Sequence, residues 1–350
     1  MTGFAWRPVS MCFAFITGLA AATLGVAALL QAHAQDTASF YKGKQLRIVV
    51  GFSPGGGYDV YGRQLARHIG RYMPGNPTVV VQNMPGAASL KSVQYLNAGA
   101  PNDGTVVTTF NPGLITQSLT VPEKVPVKFL DFAWIGSISE DFRVCYTWNA
   151  TTGIKSWKDF LAKDKVTFGN TGVGTSAYID DRMLSELLGV KLQAVQGYPG
   201  SADKRIAIER GELDGDCGSW TSIPEDWLRD KKITLLVRFS KRLLPSMPPD
   251  LPYAGDLLSD AKKKPVLDLL TAGALIGRPF LASAEIPADR VAALRKAFAD
   301  TMQDAEFLAE TAKSKLTVTP MSGSEIEAAI KELSNAPPDA IAAAKEIAGD

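Results

Sequence analysis

The stretch from Leu46 to Arg63 limits the fold more than any other. It runs Leu46-Arg47-Ile48-Val49-Val50-Gly51-Phe52, then Ser53-Pro54-Gly55-Gly56-Gly57, then Tyr58-Asp59-Val60-Tyr61-Gly62-Arg63. A short β-branched run, a glycine loop and an amphipathic pattern, in that order, predict the strand, loop and helix of an α/β protein. Such a loop offers free backbone N–H groups at a helix start, where the helix dipole adds partial positive charge. It either captures a carboxylate or phosphate or is a plain tight turn, and at this point both readings stand.

Nucleotide motifs do not fit the loop. A P-loop would need Lys-Ser or Lys-Thr after the glycines, and a dinucleotide fingerprint would need a third glycine where Val60 stands. No cofactor is expected. Ahead of the loop, the first 34 residues carry Arg7 as their only charge, an apolar run from Met11 to Leu30, and Ala32-His33-Ala34. These are the marks of a secretory signal peptide cleaved after Ala34. No later run reaches the ~18 apolar residues of a membrane helix, so the exported chain is expected to be soluble.

With 37 basic and 36 acidic residues in all, the chain without Arg7 is formally neutral, and no nucleic-acid partner is expected. Cys12 leaves with the signal, and Cys145 and Cys217 are the thiols that stay. In an oxidising compartment they are expected to pair. His33 leaves as well, so His68 is the single histidine of the mature chain. A multi-histidine metal site is thereby excluded, and a Ser-His-Asp triad could use only His68; no metal site or catalytic residue is expected.

Beyond the first helix, with Tyr61, Leu65, Ile69 and Tyr72 inward, strand-to-loop-to-helix units recur. One runs from a strand at 78–82 through Asn83-Met84-Pro85-Gly86-Ala87-Ala88-Ser89 into a helix with Leu90, Val93 and Leu96. Strands are expected at 105–110, 132–138 and 143–148, with a proline- and valine-rich loop before the second of these. Val166 to Gly169 precedes Asn170-Thr171-Gly172-Val173-Gly174-Thr175-Ser176 and a helix; Leu192 to Val195 precedes Gln196-Gly197-Tyr198-Pro199-Gly200-Ser201 and another. Further strands are expected at 233–239, 269–277 and 316–318, and Ser322 to Glu325 marks a helix start. Alternation of this kind predicts parallel sheets covered by helices, with ligands at the carboxyl ends of the strands. The expected division is a first lobe from 35–142 plus 240–350 and a second from 143–239. The acids of Asp180-Asp181 and Asp214-Gly215-Asp216 read as solvated groups or caps. Arg63, Arg143, Arg182, Arg205 and Arg238 are candidates to balance an anion.

In its ordered motifs the chain resembles the Bug family, periplasmic solute receptors of tripartite tricarboxylate transporters. The first lobe carries Arg47 to Val50, Gly55-Gly56 with Asp59 and Arg63, Asn83 with Pro85-Gly86-Ala87, and Asp103-Gly104; the second carries Gly172 to Ser176, Tyr198, Gly200-Ser201, Gly211-Glu212 and Asp214; Ile286-Pro287 with Val291 and Leu294 follow. The resemblance implies a two-lobed Venus-flytrap α/β fold, each lobe a mainly parallel sheet flanked by helices, closing on a small organic carboxylate. It implies a monomer that is not an enzyme and that delivers its ligand to membrane transporter subunits. Position by position, it places the ligand at Ser53, Pro54, Gly55, Gly56, Gly57, Tyr58 and Asp59, and at Gly86, Ala87, Ala88 and Ser89. Gly174, Thr175, Ser176 and Tyr198 close from the other lobe.

Three positions depart from the family pattern. Ser89 replaces a glycine, Thr105 a tyrosine, and Ala177-Tyr178 a histidine-bearing pair. Together with Tyr58 inside the first loop, these point to a larger or aromatic acid rather than a small dicarboxylate. Two rival readings use the same features: a metabolite-sensing module that docks a signalling receptor, and a secreted hydrolase built on His68.

Overall fold

The computed structural model describes residues 1–3 and 37–348, so all but the first three residues of the expected signal peptide lie outside the described residues. The first sheet begins with the predicted unit. Strand β1 (Gln45–Val50) leads to helix α1 (Gly57–Ile69), then come β2 (Thr78–Asn83), α2 (Leu90–Ala98), β3 (Val106–Thr109), α3 (Gly113–Thr120) and β4 (Phe132–Ser137). The inward stripe of α1 is as expected, with Tyr61, Leu65 and Ile69 buried. Asp59 in its first turn and Arg67 in its last complement the helix dipole.

The chain then crosses to a second sheet. It forms β5 (Arg143–Trp148), short helices α4 (Asn149–Thr152) and α5 (Trp157–Ala162), β6 (Val166–Gly169), α6 (Ser176–Glu186), β7 (Leu192–Val195), α7 (Ser201–Glu209), β8 (Gly215–Ser219), α8 (Glu225–Arg229) and β9 (Ile233–Arg238). After an irregular segment, α9 (Lys264–Ile276) covers this sheet before β10 (Pro279–Ser283) re-enters the first. Helices α10 (Ala288–Met302) and α11 (Ala305–Lys313), strand β11 (Met321–Ser322) and helix α12 (Gly323–Ser334) complete the first sheet's cover. Helix α13 (Pro338–Ala348) returns to pack beside α9, α6 and α3.

Both sheets are mixed, with most strands of each running the same way, as expected. In the first, ordered β11-β4-β10-β3-β1-β2, strands β1, β2 and β3 run parallel while β10 and β11 pair antiparallel. In the second, ordered β7-β6-β8-β5-β9, β5 is antiparallel to both its neighbours. The antiparallel members include β5 and β10, the two strands that receive the chain as it crosses between sheets.

Three expectations are corrected. Residues 269–276 are helix, not strand: their Leu and Ala are strong helix formers, and the strand lies just beyond, at β10. The stretch 316–318 is not a strand, and the pairing edge is β11. Helix α3 occupies part of the expected loop, and its eight residues are buried nearly all round, which erases the amphipathic period.

The crossings are bonded to each other. Ile138 N donates to Arg278 O (3.1 Å), Arg278 N to Ser139 O (2.9 Å), and Asp141 N to Ala274 O (2.7 Å). Gly277, at φ +57°, sits so close that a Cβ would lie 2.0 Å from Ser139 O. Cys145 and Cys217 face each other on β5 and β8 and form the expected disulfide.

Candidate functional site

The carboxyl ends of β1, β2, β6 and β7 face one another across the gap between the sheets, and their loops enclose a chamber of about 650 Å³. From the first side come Phe52, Pro85, Gly86, Ala87, Ala88, Ser89 and Leu90, with Leu114 of α3; from the second come Thr171, Gly172, Val173, Gln196, Tyr198 and Pro199. Among the described residues, Lys124 is the one charged side chain on this wall. The walls are otherwise largely apolar, the usual make-up of a small-molecule site.

The turn after β2 is the chamber's most unusual backbone. Gly86 (φ +142°) is followed by Ala87 (+44°), Ala88 (+55°) and Ser89 (+76°), three successive side-chain-bearing residues with positive φ. Each costs on the order of 1 kcal/mol, and such strain gathers at ligand clamps. The turn's first hydrogen bond runs from Ser89 N to Gly86 O, so the N–H groups of Ala87 and Ala88 precede it. Successive N–H groups in a concave turn form an anion-binding nest. Ser89 is pinned from beneath: its Oγ accepts from Asn111 N at 3.1 Å and its carbonyl from Ser92 Oγ at 2.7 Å.

Beside the chamber, and sharing Phe52 and Thr171 with it, lies a compartment of about 50 Å³. Gly56, Gly57 and Tyr58 at the start of α1, Ser201 and Lys204 of α7, and Arg143 and Arg278 line it. Asp141 lies between the two guanidiniums, accepting from Arg143 Nη1 and Arg278 Nη2 at 3.1 Å each. Burial works to raise the Asp141 carboxyl, but Arg278 and Arg143 outweigh it and hold it below the usual range. Arg143 also donates from Nε to Asp180 (2.5 Å), yet burial pushes that carboxyl up to about 7. Lys204 pairs with Asp216, which burial likewise raises. Asp180, Asp181 and Asp216 are all buried, so the reading of these acids as solvated groups or caps is corrected. Their helix and strand pack flat against the second core, and no sequence pattern marked β8, whose Gly-Asp-Cys-Gly-Ser is poor in strand formers.

The sequence-derived residues divide into three groups. Gly86, Ala87, Ala88, Ser89 and Tyr198 line the chamber, and Gly56, Gly57 and Tyr58 line the compartment. Ser53, Gly55, Ser176 and their neighbours instead hold the two sides together. Ser53 Oγ donates to Asp203 (2.7 Å), Ser53 N to Pro199 O (3.3 Å), and Arg205 Nη2 to Gly55 O (3.1 Å). Ser176 donates from N (3.0 Å) and Oγ (2.9 Å) to Asn111 Oδ1, which also accepts from Gly113 N (2.8 Å). Pro54 is exposed, and Thr175 caps α6 through Tyr178 N while Gly174 packs on Leu114. Asp59 organises the first loop, accepting from Gly55 N, Arg63 and Asn83.

Of the candidate arginines, Arg143 reaches the compartment. Arg63 braces Asp59, Arg205 binds Gly55 and Ser222, Arg182 reaches Ile347 O, and Arg238 reaches Leu251 O. Arg278 and Lys204 were missed. A lone cation between two apolar runs, as in Gly277-Arg278-Pro279, was the available signal for the first. His68 lines neither cavity: it lies against Phe307 with Nε2 3.1 Å from Glu310.

No protein-family model matches the chain. A UPF0065 protein of Cupriavidus necator is 28% identical over 203 residues, 56% of this chain and 59% of its own length. Its homologues are UPF0065 and Bug proteins. The chain spans about six-tenths of the length of the curated relatives it matches. Among solved structures, the periplasmic binding protein BugD is similar with a TM-score of 0.72 at 21% identity, over 88% of this chain and 99% of that one. MatC from Rhodopseudomonas palustris, solved with bound malate, is similar with a TM-score of 0.69 at 17% identity, over 85% and 99%. The two-lobed α/β fold expected from the sequence is the fold this chain shares with these binding proteins.

Proposed function

We propose that the protein is a periplasmic solute receptor that encloses a small organic carboxylate between its lobes and delivers it, as a monomer and without turnover, to a tripartite tricarboxylate transporter. The observation that carries this reading is the strained turn at Gly86 to Ser89, whose residues line an interlobe chamber with largely apolar walls. The malate bound to MatC supports a carboxylate as the ligand class. In this reading Ala87 and Ala88 hold the carboxyl and Tyr198 bounds the ligand from the second lobe. Ser53, Gly55 and Ser176 act by bonding the lobes shut. Closure is a hinge motion at the paired crossings, and a ligand touching both lobes shifts the population toward the closed form.

Isothermal titration against a panel of mono-, di- and tricarboxylates tests this. At least one acid is expected to bind with micromolar or tighter affinity. Absence of binding across the panel would remove the receptor role.

A further inference from the structure

The walls of the large chamber say more about the body of a ligand than about its acid group. From the first side Pro85, Leu90 and Val125 line it, and from the second Val173, Tyr198 and Pro199. Val173 and Tyr198 are half-buried, which leaves apolar surface for a ligand to cover. Polar side chains on the same wall are few. Ser89 is committed to Asn111 N at 3.1 Å, Thr171 and Gln196 are uncharged, and Lys124 is the one charged side chain there among the described residues. A short hydroxy-diacid would bring two carboxylates and a hydroxyl to this wall, and each polar group buried without a partner weakens binding. Volume argues the same way. The chamber's 650 Å³ lies within the roughly 300–1,000 Å³ that encloses ligands of drug size, and an acid as small as malate would leave most of it unfilled.

The apolar groups are fixed in place. Val125 N and Lys124 N both donate to Val121 O, at 3.1 and 2.9 Å, in a turn flanked by Pro122 and Pro126, whose rings lock φ. Val173 stands between Gly172 (φ +112°) and Gly174 (φ +90°). A Cβ on Gly174 would lie 2.8 Å from Leu114 Cδ2, so the loop of the second side is seated directly on α3 of the first. Rigid walls spare a ligand part of the ordering cost of binding. Because this wall is drawn from both sides, it is complete only when they meet, and an apolar body that fills it contributes to closure.

We propose that the chamber selects its acid by the apolar body: a ligand carrying a long aliphatic chain or an aromatic ring, packed between Leu90 and Val125 on one side and Val173 on the other, is preferred to a short hydroxy-diacid. This deepens the receptor reading and rests on it.

Calorimetry with butanoate, hexanoate and octanoate, and with 3-phenylpropanoate, succinate and malate beside them, tests the proposal. Burial of one methylene strengthens binding about fourfold, so affinity is expected to rise roughly 15-fold from each straight-chain acid to the next. The heat-capacity change should grow more negative along the same series. Octanoate and 3-phenylpropanoate should bind more tightly than succinate and malate. Val173→Thr keeps the side chain's shape and puts a hydroxyl on the wall; it is expected to weaken octanoate about three- to tenfold and butanoate less. A merely structural valine would lower Tm and weaken all the acids alike, and that result would overturn the placement of the body against Val173. If acids bind but affinity is flat with chain length, or malate or succinate binds most tightly, the proposal falls and the receptor reading stands. If none of the six acids nor any acid of the wider carboxylate panel binds, the receptor reading itself falls and takes the proposal with it.

Discussion

Substituting Asn111 by alanine should weaken ligand binding without touching the ligand. The side-chain oxygen of Asn111, on the first-sheet side, accepts both the N–H and the hydroxyl of Ser176 from the second side. Each such bond contributes about 1 kcal/mol net, and stranding the Ser176 N–H in a buried place adds about 1 more, so the closed form loses roughly 2–3 kcal/mol. For a receptor that rests open, this converts to a roughly 30- to 150-fold rise in apparent Kd. Calorimetry with the best-binding acid reads it directly. Asn111 also caps Gly113 N at 2.8 Å, so the variant's Tm should fall, and Tm alone proves nothing about closure. Ser176→Ala provides the separation: it keeps the cap, loses only the hydroxyl bond, and should weaken binding about fivefold. If both variants bind within twofold of wild type, these bonds do not hold the lobes shut and the account of Ser176 is wrong.

Replacing both Cys145 and Cys217 by alanine opens a linkage spanning 72 positions and should cost about 2–4 kcal/mol, seen as a lower denaturant midpoint; an unchanged midpoint would contradict this. Gly277→Ala, at positive φ and facing Ser139 O at 2.0 Å, should lose about 3 kcal/mol or more, or fail to fold, as judged by circular dichroism. Stability should also depend on pH in an unusual direction. Burial raises the Asp180, Asp181 and Asp216 carboxyls, so the folded chain holds those protons more tightly than the unfolded one. The stability they confer is complete below the unfolded value of about 4 and is lost as pH rises through the folded values, about 7 for Asp180. Asp59 and Asp141 are lowered and act oppositely, below about pH 4. Tm should therefore be higher at pH 5 than at pH 8, with a smaller difference in Asp180→Asn; an equal or higher Tm at pH 8 would refute it.

The parts of the fold legible in the sequence were those where local pattern and tertiary role agree. The β1 loop, the inward stripe of α1, the loops after β2, β6 and β7, and the Ser322 to Glu325 capping box all carry local chemistry that survives into the structure. Illegible were elements whose reason lies elsewhere in space. Helices α3 and α9 are apolar on several sides because they are wedged between layers, and β8 is a strand through its partners, not its composition. The turn at Ala87 to Ser89 was visible as a small-residue loop, but its left-handed backbone was not, since alanine and serine do not signal positive φ. Arg278 lies beside Tyr58 only because the chain returns from the second sheet at Gly277.

The bonded crossings have a mechanical consequence. Segments 138–141 and 274–278 are zipped into a narrow ribbon, and a third connection at 335–337 ties α12 on the first sheet to α13 beside the second. Two coupled strips resist twisting and sliding more than bending, and a third tether off their axis limits the swing. The lobes thus have essentially one easy stroke. In the proposed closure, Ser53 returns to Asp203 and Asn111 to Ser176 in the same alignment, much as a box lid meets its catch because the hinge allows it no other path.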